Sequence, residues 1–594
     1  MFFSDFSGYL LRLESEDGRL KMTETLAELF NNLSIDEIDK ACYLVLGVLA
    51  PKYQGFEFNM AEKMTIRSIA ASLHISEQDV SAGVKEAGDL GDFIFQKKRE
   101  TSSTLELLKV YEALFNIAQL EGLGSAEKKV SRSADLLLKL DRLSAKYIAR
   151  ILVGKLRLGF SSMTILDALS WSKVKNKSLR PPLENAFNLR SDIGQIAKIF
   201  KKTGIKELLK IQPSPGIPLR AAKAEAMKDS GEILKKMSGQ CLIEPKYDGL
   251  RTMLHLNKNV KESDIDKNLE LFVVKDEKKY LARIFSRNME NMTDMFPDIV
   301  TALKKLPVES VILDGEAIAL DTTTGEYLAF QETIQRKRKH NVVKMSKKIP
   351  LNVFVFDILF LNGKSLIACP FSERRAVLEK LLGTGNEEII RLTEQKRVSS
   401  ADEFDKFFRQ MKSGGLEGLM AKKANSSYRS GMRDHNWIKY KVGMQSDLAD
   451  TLDCVVMGYY KGKGKRNKFG IGAFLVGIIK KQAKLKNEDG HSFVSVSKIG
   501  TGLSDEQWEE LYKRCQKIRT PKKPENYLLD NSLYPDIWCK PALVVEIEAD
   551  TVTKSPIHSA GLALRFPRLK RFRDDKRVEE STSLLRLKKM YGNS

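Results

Sequence analysis

The sequence predicts a protein of several domains, in which an all-α segment precedes an α+β core and a small β-barrel. Its 594 residues are several times the length of a typical domain. Helical periodicity marks the first part of the chain, buried-strand patterns with intervening helices mark the middle, and short strands between Gly- and Lys-rich turns mark the end. We expect the domains to be 1–225, 226–445 and 446–594.

The first segment carries apolar residues at helical spacing, as in TLELLKVYEALFNIAQL (104–120). The pair Ser34-x-x-Glu37 matches a capping box ahead of an apolar run. The segment IQPSPGIPLR (211–220) contains three prolines and a glycine, which break any helix. These features predict an all-α domain that ends near this loop.

The middle segment contains two long apolar runs, VILDGEAIAL (311–320) and LNVFVFDILFLNG (351–363). The second run has large apolar residues on both faces, which predicts a fully buried strand. The last segment has shorter runs, such as DCVVMGYY (453–460) and GAFLVGII (472–479), and one helix that opens on Ser504-x-x-Gln507. This pattern predicts a small β-barrel with a basic tail.

Charge points to a polyanionic partner. The net charge is +22, yet 77 acidic residues accompany 99 basic ones, so the chain is a folded basic protein rather than a basic tail. Nucleic acid is the first candidate for such a partner.

The six cysteines form no CxxC pair, and no histidine stands at metal-ligand spacing from them. This argues against a zinc site or a disulfide framework and predicts a reducing compartment. The longest apolar run, ACYLVLGVLA (41–50), is half a membrane span, and the first residues lack a basic region. We therefore expect a soluble intracellular protein without a membrane partner.

The segment EPKYDGLR (244–251) places a lysine after CLIE, which is typical of a buried strand end. On these residues alone a charged turn is the simpler interpretation. Lys246 at the mouth of a sheet is, however, placed as a ligand-site residue, and an amine can act as a nucleophile. Cations such as Arg251 and Arg287 would favour the neutral amine if folding brought them close.

Glu316 and Glu417 lie in strand-like settings, where an acid is costly unless it is used. For each residue alone, a salt-bridged or half-exposed acid is the alternative. Together with a lysine nucleophile and a polyphosphate, the two carboxylates become candidate Mg²⁺ ligands.

Seven motifs then occur in a recognisable order and spacing. They are KYDGLR (246–251), RIFSRN (283–288), LDGE (313–316), VFDILFLNG (355–363), EGLMAK (417–422), WIKYK (437–441) and RFPRLKRFRDDK (565–576). On these motifs the chain resembles the ATP-dependent DNA ligases of the archaeal and eukaryotic replicative type. The resemblance also covers KLRLGF (155–160) in the helical segment and KIGTGL (498–503) in the barrel.

The resemblance implies a helical DNA-binding domain, a nucleotidyltransferase (adenylation) domain and an OB-fold. It also implies an enzyme that uses ATP and Mg²⁺ to seal nicks in double-stranded DNA during replication, repair and recombination. We expect a monomer in the cytoplasm, or in the nucleus of a eukaryotic cell. A sliding clamp is a further candidate partner through MFFSDF (1–6) or DFIFQKK (92–98), although buried helix residues explain both clusters more simply.

The resemblance implies a role for each matching residue at the base end of the nucleotide and at the nucleophile. Lys246 would carry the covalent AMP, Glu244 would accept a hydrogen bond from the adenine amino group, and Phe356 would stack on the base. Arg251 and Arg287 would hold the ribose and the phosphates.

The other matching positions are implied at the phosphates and the metal. Glu316 would contact the ribose or the metal, Glu417 the metal, and Lys422 the α-phosphate region. Basic positions at the triphosphate and in the last motif, which closes over pyrophosphate in this family, are Arg433, Lys439, Lys441, Arg565, Arg573 and Lys576.

Two departures from the family pattern stand out. The charged stretch at 257–280 is longer than expected, as an extended hairpin or an insertion, and the junction PLRAAKAEAM (218–227) lacks an apolar Met-Leu pair. An RNA ligase or an RNA-capping guanylyltransferase is the nearest alternative function, and a non-catalytic nucleic-acid-binding protein is a more distant one. The large helical segment and the last motif favour DNA ligase over the first two, and Lys246, Glu316 and Glu417 oppose the third.

Overall fold

The computed structural model describes residues 1–16, 18–156, 158–260, 272–273, 279–321, 324–328, 330–338, 340–383, 389–441, 451–462, 469–481, 491–549 and 551–592. The chain divides into two compact units. The first unit comprises Met1–Val84 and Leu90–Val442, and the second comprises Lys85–Asp89 and Gly443–Ser594.

The regular secondary structure described in the first 210 residues is helical, with loops between the helices. The predicted helix in TLELLKVYEALFNIAQL runs from Leu107 to Ala118 and buries Leu107, Val110, Leu114 and Ile117, which lie on one face. The helices are α1 (Phe3–Ser15), α2 (Arg19–Asn32), α3 (Ile38–Leu44), α4 (Glu62–Leu73), α5 (Glu77–Ala87), α6 (Leu90–Lys97), α7 (Leu107–Ala118), α8 (Ser125–Lys139), α9 (Arg142–Leu152), α10 (Ser162–Val174), α11 (Arg180–Leu189), α12 (Ile193–Thr203) and α13 (Ile205–Leu208).

In this helical part the capping box predicted at Ser34 is only partly met, whereas the simpler account of the two aromatic clusters, burial in helices, is confirmed. The Glu37 carboxylate accepts a hydrogen bond from the Ser34 backbone N–H at 2.8 Å, but α3 has no side-chain cap of its own, so the capping box at Ser34 is only half formed. The aromatic residues Phe3, Phe6 and Phe93 are at most 2% exposed. Most of the aromatic surface of MFFSDF and DFIFQKK is therefore core rather than a docking element.

The proline-rich loop at 211–220 leads from the helices to the first strand. Its Gly216 N–H donates to Nδ1 of the buried His255 at 3.1 Å, and Leu219 is 1% exposed. The junction that follows is also anchored, because the Ala222 N–H donates to the Tyr428 hydroxyl at 3.1 Å. The loop is thus fixed to the sheets rather than free.

Two β-sheets form the core of the central part. The first has the strand order β1-β12-β11-β2-β10, and the second has the order β4-β5-β3-β6-β7-β8, with β9 beside β7. The strands are β1 (Lys223–Ala226), β2 (Cys241–Lys246), β3 (Leu250–Asn257), β4 (Phe272–Val273), β5 (Lys279–Ser286), β6 (Ser310–Ala319), β7 (Leu351–Leu361), β8 (Lys364–Ser365), β9 (Ile390–Leu392), β10 (Lys396–Val398), β11 (Gly418–Lys422) and β12 (Arg433–Lys441).

Helices cover these sheets. They are α14 (Ser230–Lys236), α15 (Pro297–Lys305), α16 (Phe330–Thr333), α17 (Val342–Lys348), α18 (Phe371–Leu382) and α19 (Ala401–Ser413). Strand β7 buries Val353, Phe354 and Val355 in succession, which confirms the prediction of a strand buried on both faces. Phe354 packs with the residues under the first sheet, and Val353 and Val355 pack with those under the second.

Part of the charged stretch at 257–280 falls within the described residues. Phe272 and Val273 pair antiparallel with Tyr280 and Lys279, and residues 261–271 and 274–278 lie outside the described part of the chain.

The last part is an OB-fold barrel. The Ser504–Gln507 capping box is present at the helix Asp505–Lys517, as predicted. Phe474, Val476, Val494 and Trp508 belong to its apolar core. Its elements are β13 (Leu452–Tyr460), β14 (Ala473–Lys481), β15 (His491–Ile499), α20 (Asp505–Lys517), β16 (Arg519–Thr520), β17 (Tyr527–Leu528), β18 (Ile537–Cys539), β19 (Val544–Glu548), β20 (Thr551–Lys554), β21 (Leu562–Arg565), β22 (Arg568–Phe572) and α21 (Leu584–Gly592).

In the part of the chain that the structure describes, no helix combines the length and the apolar character that crossing a membrane requires.

A buried ion pair ties β7 to α18 and gives a stability prediction. Arg374 donates to both oxygens of Asp357, at 2.7 and 3.0 Å, and both side chains are 0% exposed. Asp357→Ala leaves a buried guanidinium without its counterion, so we expect the free energy of unfolding to fall by about 3–5 kcal/mol. Urea titration of the first unit's unfolding transition measures this loss.

Lys380→Ala is the matched control on α18, because Lys380 is an exposed residue of the same helix. Such a surface substitution changes the free energy of unfolding by at most about 0.5 kcal/mol. Equal unfolding midpoints for the two variants would contradict the prediction.

Candidate functional site

A cavity of about 450 Å³ lies between the two central sheets. Its walls come from β1, β2, β11 and β12 of the first sheet and from β3, β6 and β7 of the second. The volume is in the range of small-molecule sites. The following predicted residues line it: Glu244, Lys246, Arg251, Arg287, Glu316, Phe356, Lys422, Lys439 and Lys441.

Lys246 is the last residue of β2, where the apolar run CLIE predicted a strand end. In the sheet register, Gly418 of β11 stands between Lys246 and Lys441. A Cβ at Gly418 would lie 2.1 Å from the Tyr440 carbonyl oxygen, so the strands pack here only because the residue is glycine. The close packing at Gly418 brings β2, β11 and β12 together at one edge of the cavity.

Glu417 bridges the two lysines at that edge. One of its carboxylate oxygens accepts from Lys246 Nζ and the other from Lys441 Nζ. Burial opposes ionisation of Glu417, but the ammonium groups of Lys246 and Lys441 outweigh it and lower the pKa of this carboxyl. Glu417 therefore stays ionised and holds both cations.

Glu244 lies deeper in the same wall and is 2% exposed. Its Oε2 accepts from Lys422 Nζ at 2.6 Å, and its Oε1 accepts from Gln395 Nε2 at 2.8 Å. Arg375 Nη1 lies 3.9 Å from the same Oε1. Burial lowers the pKa of Lys422, and the Glu244 carboxylate counteracts part of that effect.

Three aromatic rings surround the Lys422 ammonium. Its Nζ lies 4.7 Å from the centroid of Phe356, 4.5 Å from Phe371 and 4.4 Å from Trp437, within the range of cation–π contacts. The half-buried Phe356 lines the cavity and meets Trp437 edge to face. An aromatic face and a carboxylate thus border one end of the cavity, and the predicted Lys422 belongs to this end.

Arg251 of β3 is held at the other wall by a buried aspartate. It donates to both oxygens of Asp314, at 3.0 and 2.7 Å, and to the Ala222 carbonyl at 2.8 Å. The Tyr428 hydroxyl donates to Asp314 at 2.8 Å. The guanidinium orientation is therefore set by the sheet and by the junction.

Glu316 stands opposite Arg251 in the β3–β6 register and lines the cavity. Burial raises its pKa to about 7, although Lys246 and Arg251 counteract the effect. This carboxyl is therefore close to half-ionised near neutral pH until a cation joins it.

Most of the remaining predicted cations also meet at the cavity. Burial lowers the pKa of Lys439, and the nearby charges of Lys441, Lys246 and Arg287 lower it further. Arg433 differs from these cations. It is the first residue of β12, is exposed, and is not among the residues that line the cavity.

The last-motif residues lie in the second unit. Arg573 and Lys576 both donate to Asp453, at 2.8 and 2.5 Å, and Arg573 also pairs with Asp575. Arg565 ends β21 and is exposed.

Sequence reasoning did not select several residues of the site. Asp314 lies inside the LDGE motif and Trp437 inside WIKYK, so the motifs contained both without indicating their roles. Lys337 and Glu290 line the cavity and form an ion pair with each other. Gln395 lies in no motif, and no sequence signal pointed to it.

The raised pKa of Glu316 gives a pH prediction for the nucleotide-free protein. Between its ordinary pKa of 4.5 and the folded value of about 7, the folded chain holds a proton that the unfolded chain has lost. This bound proton stabilises the folded state fully below pH 4.5, and the stabilisation is lost as the pH rises through about 7. The Gln side chain of Glu316→Gln cannot ionise. Between about pH 5 and 8, the free energy of unfolding of the parent should therefore fall by about 1–3 kcal/mol more than that of the variant.

Unfolding free energies of both proteins, measured at each pH with a chelator present, test this prediction. Curves that stay parallel across the range would show that Glu316 has an ordinary pKa.

Comparison with known proteins covers the whole chain. Residues 2–170 match the family described as DNA ligase N terminus, residues 272–441 match the ATP dependent DNA ligase domain, and residues 467–576 match the ATP dependent DNA ligase C terminal region. The first region carries α1–α9, the second carries the strands from β4 to β12, and the third carries the barrel from β14 to β22; β1–β3, with Lys246, lie between the first two.

Relatives of full length agree with these matches. A probable DNA ligase of Dictyoglomus thermophilum is 40% identical, over 100% of this chain and 98% of its own length. A DNA ligase of Sulfolobus acidocaldarius is 35% identical, again over 100% and 98%. A solved structure titled Pmar-Lig_PreS3 shares the fold, with a TM-score of 0.53 and 20% identity over 96% of this chain and 99% of its own. The chain belongs to the ATP-dependent DNA ligase family.

Proposed function

We propose that this ligase seals nicks in double-stranded DNA through AMP carried covalently on Lys246. The observation that carries the assignment is the position of Lys246 at the cavity edge, where Glu417 bridges it to Lys441 and where the cavity offers an aromatic face and a buried carboxylate. A nucleotide likewise has two chemically different ends, a flat base and a charged chain of phosphates.

The base end consists of Phe356 and Glu244. Phe356 presents a ring face for stacking, and Glu244, which Lys422 holds in place, accepts a hydrogen bond from the adenine amino group. Lys422 then supports the base end rather than the α-phosphate, because its ammonium already pairs with Glu244 and lies among three aromatic rings.

The phosphate end consists of the cations at the opposite edge. Arg251, fixed by Asp314, and Arg287 bind the ribose and the phosphates, and Lys439 and Lys441 bind the triphosphate. Their charge stabilises the negative charge that develops on the phosphoryl oxygens. Arg433 is not included in this set, because it is exposed and lies outside the cavity.

The residues present fit a divalent cation such as Mg²⁺. Within the described chain no group of three or more His, Cys, Asp or Glu residues forms a protein-only metal site. Glu316 and Glu417 nevertheless offer hard carboxylate oxygens beside Lys246, and Mg²⁺ is commonly held by one or two carboxylates together with substrate phosphates. When bound there, the ion neutralises phosphate charge during transfer.

The reaction then has three steps. Lys246 gives up its ammonium proton to solvent, and the resulting amine attacks the α-phosphate of ATP, so that an N–P bond forms as the bond to pyrophosphate breaks. An oxygen of the 5′-phosphate at the nick then displaces the lysine and takes the AMP. Finally the 3′-hydroxyl loses its proton and displaces AMP as the strand is sealed. In the first step Glu417 and Lys441 position Lys246 Nζ.

The other parts of the chain bind DNA and the pyrophosphate leaving group. We assign DNA binding to a helical domain of 1–225, nucleotide chemistry to 226–445, and a role at pyrophosphate to Arg565, Arg573 and Lys576 of the barrel domain, 446–594. The partner is nicked duplex DNA held mainly by its backbone, and the enzyme acts as a monomer in the cytoplasm, or in the nucleus of a eukaryotic cell. Matches to DNA ligase families in all three regions favour this function over RNA ligation, RNA capping or non-catalytic binding.

Replacing the nucleophile tests the proposed function directly. Lys246→Arg keeps a positive charge but offers a guanidinium that does not deprotonate, so we expect both Lys246→Arg and Lys246→Ala to take up no label from α-labelled ATP. Both variants should also fail to seal a nicked duplex from ATP.

Lys412→Arg, an exposed lysine of α19, is the control and should label and seal like the parent. Covalent AMP on Lys246→Ala, at Lys422 or another lysine, would move the nucleophile elsewhere.

Base recognition by Glu244 is tested separately. Glu244→Gln exchanges an acceptor for a side chain that can also donate to the guanine carbonyl, so the preference for ATP over GTP in self-adenylation should fall about tenfold or more. The ratio of the two kcat/KM values is the measurement, because a general loss of folding affects both nucleotides alike. An unchanged ratio would remove Glu244 from the base end while leaving Lys246 in place.

A further inference from the structure

We propose that Gln395 sets the preference for adenine, as a positioning residue that holds the Glu244 carboxylate toward the cavity. This inference rests on the proposed role of Glu244. Gln395 precedes β10, whose first residue, Lys396, is the register partner of Ile243, so the loop brings it directly beside Glu244. Its Nε2 donates to Glu244 Oε1 at 2.8 Å.

The two oxygens of Glu244 have different partners. Oε2 is held by the charged Lys422 at 2.6 Å, and Oε1 receives its one described hydrogen bond from the neutral Gln395. A carboxylate oxygen has two acceptor sites, so each oxygen keeps acceptor capacity after these bonds are made. The two contacts together fix the plane of the carboxylate and the direction of its open acceptor sites.

Arg375 is a competitor for Oε1. Its Nη1 is buried, has no hydrogen-bond partner among the described residues, and lies 3.9 Å from Oε1, beyond hydrogen-bond distance. The rest of the guanidinium is fixed, because Nε donates to Glu379 and Nη2 to the Thr393 carbonyl. If Gln395 released Oε1, rotation of the carboxylate toward Arg375 would satisfy this buried donor.

That rotation would remove an acceptor from the base end. Adenine presents an amino donor at the position where guanine presents a carbonyl acceptor, so a fixed carboxylate attracts the first and repels the second. With Oε1 turned to Arg375, both the attraction and the repulsion weaken. Gln395 therefore controls selectivity without touching the nucleotide.

Two substitutions test the inference in full-length protein. Gln395→Met keeps the length of the side chain and removes the donor, and Gln395→Glu places a second carboxylate against Glu244. Single-turnover labelling of Lys246 by ATP and by GTP, without DNA, gives kcat and KM for each nucleotide. We expect the ATP:GTP ratio of kcat/KM to fall about tenfold in Gln395→Met and further in Gln395→Glu, mainly through KM for ATP.

Gln240→Met is the matched control. Gln240 precedes β2, and its Oε1 accepts from Arg397 at 3.4 Å on the exposed edge of the same sheet, so its loss should leave the ratio unchanged. A merely structural role for Gln395 would lower labelling by both nucleotides in proportion, and such a constant ratio overturns the inference.

The Glu244→Gln variant distinguishes a failure of the Gln395 inference from a failure of the role proposed for Glu244. If it shifts the ATP:GTP ratio while both Gln395 variants keep the parental value, the inference about Gln395 is wrong and the role of Glu244 stands. If Glu244→Gln itself leaves the ratio unchanged, the base-reading role fails, and the role of Gln395 fails with it.

Discussion

Neutralisation of buried charge is the constraint on which the site depends. The cavity between the sheets gathers several cations, yet charges removed from water are costly without partners. The fold meets this cost with carboxylates: Glu417 holds Lys246 and Lys441, Glu244 holds Lys422, and Asp314 holds Arg251. Each pair also fixes the geometry that the chemistry requires, so stability and positioning have the same source.

The junction between helices and sheets is joined to this network. The Ala222 carbonyl accepts from Arg251, and the Ala222 N–H donates to Tyr428, which in turn donates to Asp314. The sequence PLRAAKAEAM lacks the apolar pair expected at this place, and hydrogen bonds hold the junction instead. A wall of the cavity and the path of the chain from the helical segment are therefore determined by one set of bonds.

Much of this architecture could be predicted from the sequence, because it depends on local patterns. Periodicity identified the helix at Leu107–Ala118 and the buried strand at Leu351–Leu361, and the motifs placed Lys246 and Glu316 in one cavity. Contacts between distant segments could not be predicted in this way. Gln395 reaches Glu244 from 151 positions away, and the place of Lys422 depends on three rings that meet only in the fold.

Gly418 shows how little mutational freedom such a site leaves. A side chain there would collide with the Tyr440 carbonyl and push β11 away from β12, between the two lysines that Glu417 joins. Even alanine would widen the gap that one carboxylate has to span. The EGLMAK motif thus preserves an empty volume as well as a set of polar side chains, and a variant at Gly418 would displace Lys246 from Lys441 with every charged residue of the cavity still present.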